Sequence, residues 1–140
     1  MKLKPFIVGA AAAISLLLLI SAGYAWKDSI QYEAVMTVQQ EGVELQTEIA
    51  PFPPQMLASA TLSIRLSDGS GQPVSGAKMS AALSMPHMMC GRIEVKISEA
   101  EPGIYTGEAV PLMAGMWEML VVVHSGGRKV EAVHPFEAVQ

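Results

Sequence analysis

Residues 60–67, ATLSIRLS, decide how this chain is read: Leu62, Ile64 and Leu66 alternate with Thr61, Ser63 and Arg65. A side-chain period of two belongs to a strand with one buried and one wet face, because successive Cβ atoms point to opposite sides of a sheet. The stretch that follows, DGSGQPVSG at 68–76, is dense in Gly, Pro and Ser and reads as a turn region. Upstream, VELQTEIA at 43–50 sets Val43, Leu45 and Ile49 against Glu44, Gln46 and Glu48. PFPPQ at 51–55 then stops that strand, since proline cannot donate to a ladder. Downstream, 78–85 puts Met79, Ala81, Leu83 and Met85 on one face, and 92–98 turns Ile93, Val95 and Ile97 inward.

A Pro102-Gly103 turn leads into a short strand at 101–110. Residues 116–139 read as a hairpin closed around Ser125-Gly126-Gly127, with Trp117, Met119, Val121 and Val123 on one face of its first strand. Six or seven short strands, no helical period after residue 40 and no internal repeat predict an all-β fold, an antiparallel β-sandwich over residues 43–140. Gly103 suits a turn with positive φ, Tyr105 stands where sandwiches place a tyrosine corner, and Trp117 fills the space between sheets.

Residues 6–26 carry no charge and, as a helix, would span about 30 Å, the thickness of a bilayer core. Lys2 and Lys4 precede the run while Lys27 is followed at once by Asp28, so the positive-inside rule leaves residue 1 in the cytoplasm and the remainder outside. The expectation is a signal-anchor over 1–26, one N-terminal transmembrane helix in the cytoplasmic membrane. Gly23 and Ala25 would also suit a signal peptidase, which would release a periplasmic or secreted form. Residues 27–42 show no clean period and read as a juxtamembrane linker.

Without residues 1–26 the chain holds seven Lys or Arg against 13 Asp or Glu, a net charge of −6, and no basic stripe. Nucleic acid is thereby a poor partner, because its phosphates require clustered positive charge. A single cysteine rules out an internal disulfide. No nucleophile elbow, phosphate loop or HExxH is present, so an enzyme is not expected. Zinc is disfavoured, and a c-type haem lacks its two-cysteine attachment motif.

What remains is SMPHMMCG at 84–91, in which Met85, His87, Met88, Met89 and Cys90 crowd into six positions. Thioether, imidazole and thiolate are the ligands Cu(I) selects. Pro86 and Gly91 can bend the backbone so that neighbours no longer alternate between faces. Met113 and Met116 could approach from the connection before Trp117. The alternative is plain packing at the end of the sandwich, the role given to Met36, Met56, Met79 and Met119. His124 and His134 could pair across the final hairpin as a second site, but surface polarity explains them better.

Three patterns in order, MPHM at 85–88, PGIY at 102–105 and PLMAGMW at 111–117, all after the 68–77 turn, resemble the YtkA-like domain family, related in design to the FixH-like membrane proteins. The resemblance covers residues 43–139. It implies an immunoglobulin-like sandwich on the outer face of a bacterial cytoplasmic membrane, in a family associated with copper handling and respiratory oxidase assembly. The family's Met-Pro-x-Met element matches Met85, Pro86 and Met88, and its Met-x-Gly-x-Trp element matches Met113, Gly115 and Trp117. Members often continue the first element with Gly-His, where this chain has Met89-Cys90-Gly91. The function expected is a membrane-tethered metallochaperone that binds Cu(I) and serves a membrane-embedded cuproprotein or oxidase assembly factor. The alternative is an interaction module that assists assembly of a membrane complex without metal.

Overall fold

The alternating segments fold as strands with the expected faces inward. A computed structural model of the protein describes residues 31–89 and 91–140; the expected anchor at 1–26 and Cys90 lie outside the described residues. Nine strands follow in order: β1 (Val35–Gln40), β2 (Val43–Ala50), β3 (Ala60–Asp68), β4 (Lys78–Ser84), β5 (Ile93–Val95), β6 (Ile97–Glu101), β7 (Ile104–Ala109), β8 (Gly115–Ser125) and β9 (Arg128–Ala138). Among the described residues no helix is long and apolar enough to cross a membrane.

The strands form two antiparallel sheets, β1-β2-β3-β7-β6 and β5-β4-β8-β9. With β1 set aside, this is the four-plus-four order of the immunoglobulin-like sandwich, in which chemically similar inner faces pack on one another. Leu45, Leu62, Ile64 and Leu66 of the first sheet meet Leu83, Met119, Val121 and Phe136 of the second, all but fully buried. Each such side chain stabilises the fold by about 1.5–3 kcal/mol relative to exposure. Trp117 is buried as expected, and its indole N–H donates to the Met113 carbonyl at 2.9 Å.

The linker expected over 27–42 is corrected: residues 35–40 are β1, paired along its whole length with β2 from Val35 opposite Glu48 to Gln40 opposite Val43. Its period was hidden because it is an edge strand whose inward residues, Met36 and Val38, are only partly buried. The hairpin turns on Glu41-Gly42, both with positive φ, the geometry of a two-residue hairpin loop. Gly126-Gly127 closes the β8–β9 hairpin in the same way, as foreseen.

A second difference lies at 92–98, expected to be one strand. The chain changes sheets at Lys96, so β5 pairs with β4 while β6 pairs with β7. Alternation cannot reveal such a switch, because Ile93, Val95 and Ile97 face the same core from either sheet. Gly107 on β7 permits it: a Cβ there would stand 2.5 Å from the Lys96 carbonyl oxygen.

Candidate functional site

Because β4 and β8 run antiparallel, with Leu83 opposite Met119 and Ser84 opposite Glu118, the residues after β4 and before β8 emerge side by side. One is the bend at 85–91 and the other the segment at 110–114. The connection at 51–59 lies at the same end, since Ala60 of β3 pairs with Ala109 of β7. It is fastened there by the Leu57 N–H, which donates to the Pro111 carbonyl at 2.7 Å, and the Met56 N–H, which donates to Val139 at 2.8 Å. Both motifs singled out in the sequence, Met-Pro-x-Met and Met-x-Gly-x-Trp, therefore meet at one end of the sandwich.

Within this end the seven residues expected to bind metal separate. Met85 continues the inward face of β4 and packs on the core, and its Cε lies 3.4 Å from where a Cβ on Gly115 would sit. Gly115 holds φ 125°, a conformation that favours glycine. The Met88 N–H donates to the Met85 carbonyl at 3.1 Å and closes a turn over Pro86 and His87. His87 is exposed, as are Met88 and Met113, while Met89 is as accessible as in an extended chain, at 106 %. Met116 is half-buried, opposite Glu137 on β9 and alternating with inward Trp117, which puts it on the outer face of its sheet. Cys90 lies outside the described residues. The described exposed donors are thus one imidazole and three thioethers, a set that suits Cu(I) and not the oxygen-seeking Ca²⁺ or Mg²⁺. Among the described residues no group of three or more His, Cys, Asp or Glu is placed to hold a metal ion.

The histidine pair across the last hairpin is corrected. His124 stands opposite Lys129 and His134 opposite Met119, so the two are separated along the ladder. His134 is a core residue, 1 % exposed, with Nδ1 2.8 Å from the Thr47 hydroxyl and Nε2 2.8 Å from the Glu33 carbonyl. A carbonyl only accepts, so Nε2 carries hydrogen and the neutral ring takes the Thr47 proton's hydrogen bond at Nδ1. Burial pushes the His134 pKa below its ordinary value, opposed by the hydrogen bond to Glu33 and that residue's charge. Sequence reading also missed Leu57 and Leu112, which are 67 % and 53 % exposed at the same end as the methionines. The available signal was composition: 51–59, 85–91 and 110–116 contain no Asp, Glu, Lys or Arg.

A protein-family model described as FixH matches residues 13–134. The chain belongs to the FixH family. The motif resemblance, to YtkA-like domains and their FixH-like relatives, agrees with this membership. No curated protein matches the chain. Among solved structures, a DUF4426 family protein from Pseudomonas aeruginosa superposes with a TM-score of 0.59 at 11 % identity, over 78 % of this chain and 98 % of that one. A DUF4785 family protein from Legionella pneumophila gives 0.53 at 13 % identity over 72 % of this chain, which spans only 29 % of that protein. A copper-bound variant of FetP from uropathogenic Escherichia coli strain F11 gives 0.52 at 14 % identity, over 77 % of this chain and 92 % of that one. At such identities the likeness of this FixH-family protein to the three is one of fold.

Proposed function

We propose that this FixH-family protein is a membrane-tethered, extracytoplasmic carrier of Cu(I), without catalytic activity of its own, that serves a membrane-embedded cuproprotein or oxidase assembly factor. The observation that carries the reading is the convergence of the 85–91 bend and the 110–116 segment at one end of the sandwich, with His87, Met88, Met89 and Met113 exposed. Cys90 belongs to the same bend in the sequence. Thioethers need no deprotonation, so such a site would hold Cu(I) where protons compete with thiolate or imidazole. Exposure suits transfer, because an acceptor can reach the ligands one by one. The copper in the FetP variant of like fold adds support from outside the chain. Met85 and Met116, half-buried, contribute less than the exposed four.

The test is competition of the full-length protein against a chromophoric Cu(I) chelator under reducing conditions. Met88→Leu, Met113→Leu and Cys90→Ser should each weaken binding about tenfold or more, about 1.4 kcal/mol per tenfold. Leucine keeps the volume and apolarity of methionine, so the fold should be little affected. Cys90→Ser should matter less at low pH, where protons already compete for the thiolate. Equal affinity across the variants, or no copper retained by the wild type, defeats the reading. The second reading, a metal-free contact with a membrane complex, is favoured by Leu57 and Leu112, which add exposed apolar surface and no ligand.

A further inference from the structure

The two ends of the sandwich differ in kind. Seven large hydrophobic side chains are exposed among the described residues, and five of them, Leu57, Met88, Met89, Leu112 and Met113, belong to the three connections at one end, whose one charged residue is Arg92. At the other end the turns are bordered by Glu41, Asp68, Lys78, Glu101, Arg128 and Lys129. Exposed apolar side chains gathered on one end mark a contact surface. Leu57 adds an independent sign: it holds φ 59°, a left-handed conformation that leucine rarely adopts, while its N–H is fixed to the Pro111 carbonyl. The backbone is thus held against its preference in a place that leaves an apolar side chain in the open, tied through its N–H to the residue before Leu112.

What covers this end is indicated by where the chain enters. The Ala34 carbonyl accepts from the Ile49 N–H at 2.9 Å, so the residue before β1 lies at the 51–59 end of β2. Only seven residues, 27–33, separate Trp26, the last of the uncharged run at 6–26, from this point. Fully extended, seven residues reach at most about 25 Å. A bilayer that holds the run therefore lies within a short tether of the apolar end.

We propose that this end of the sandwich docks on the lipid bilayer, with Leu57, Leu112 and the exposed methionines inserted at the headgroup–acyl boundary. Interfacial binding scales with buried apolar area plus attraction of cations to anionic lipid. The three connections carry a single charged side chain, the exposed Arg92, on a domain of net negative charge, so the docking rests on the first of these and does not require anionic lipid. It stands whether or not the thioethers carry copper; if they do, the ion is held at the membrane surface, where an embedded acceptor would take it.

The experiment uses the full-length chain in phosphatidylcholine proteoliposomes. A nitroxide is attached, in a Cys90→Ser background, at Met89→Cys on the apolar end or at Gln72→Cys on the opposite end. The ratio of accessibility to oxygen over a water-soluble nickel chelate should be several-fold higher at 89 than at 72 with no anionic lipid present, and the contrast should persist at high salt. Leu57→Asn with Leu112→Asp should bring the ratio at 89 down to that at 72. The unfolding temperature should hold or rise, since asparagine accepts the left-handed conformation better than leucine. Equal ratios at 89 and 72 in the starting protein overturn the proposal. So does a contrast seen only at high protein-to-lipid ratio with spin–spin broadening, which would assign the surface to a second copy of the chain. A ratio at 89 unmoved by the double substitution overturns it as well.

Discussion

His134 shows how one buried side chain ties protonation to folding. Its ring sits between the Thr47 hydroxyl on β2 and the Glu33 carbonyl ahead of β1, and burial favours the neutral form. The folded pKa therefore lies below the 6.5 of the free side chain. Between those values the unfolded chain binds more protons than the folded one, so stability is fully present above pH 6.5 and is lost as pH falls through the folded pKa. Denaturant midpoints of wild type should accordingly drop on acidification below that point, more steeply than those of His134→Leu. At pH 7 the same substitution should cost about 1–3 kcal/mol, because the Glu33 carbonyl loses its donor. Parallel midpoint curves for the two proteins from pH 7 to 5 would remove His134 as the source.

At the scale of elements, the long connection from β3 to β4 is held by a strand that is remote in sequence. The Tyr105 phenol on β7 donates to the Val74 carbonyl at 2.9 Å and accepts from the Ala77 N–H at 3.1 Å. The sequence reading places Tyr105 at a tyrosine-corner position; its phenol bonds a residue 31 positions upstream, so the ring ties the β3–β4 loop. Tyr105→Phe should lower stability by about 1–3 kcal/mol, measured by chemical denaturation, since two backbone groups lose their partner at once. A midpoint shift near zero would mean that water replaces the phenol freely. The inward faces of β2, β3, β4 and β8 were legible because each buries most of one side, so nearly every second residue is apolar, with Thr47 on β2 the polar exception. β1 and the switch between β5 and β6 were not, because half-buried edges relax that demand and a change of sheet leaves the parity intact. The candidate site was legible as composition at 85–90 and 113–116, and its shared location follows from a β4–β8 register that only the fold supplies. Leu57 and Leu112 carry no ligand chemistry, so a search for ligands passes over them.

For the molecule as a whole, β1 extends one sheet and also closes the sandwich. Three hydrogen bonds lace its segment to β9 of the other sheet: His134 to the Glu33 carbonyl, Arg128 to the Glu41 carbonyl at 2.8 Å, and the Glu131 N–H to the Gln40 side chain at 3.4 Å. Met36 and Val38 add partial burial against the common core. A domain begun at residue 43, where alternation first becomes plain, would lose all of these contacts and leave the edge of β2 unpaired, with His134 short of its acceptor. Residues 43–140 should therefore be less stable than 32–140 by about 2–5 kcal/mol, from lost apolar burial and orphaned polar groups. The shorter domain should also self-associate in sedimentation at concentrations where the longer one stays monomeric, because an open strand edge is a template for pairing. Equal denaturation midpoints and equal sedimentation would reduce β1 to an ornament on a sandwich that closes without it.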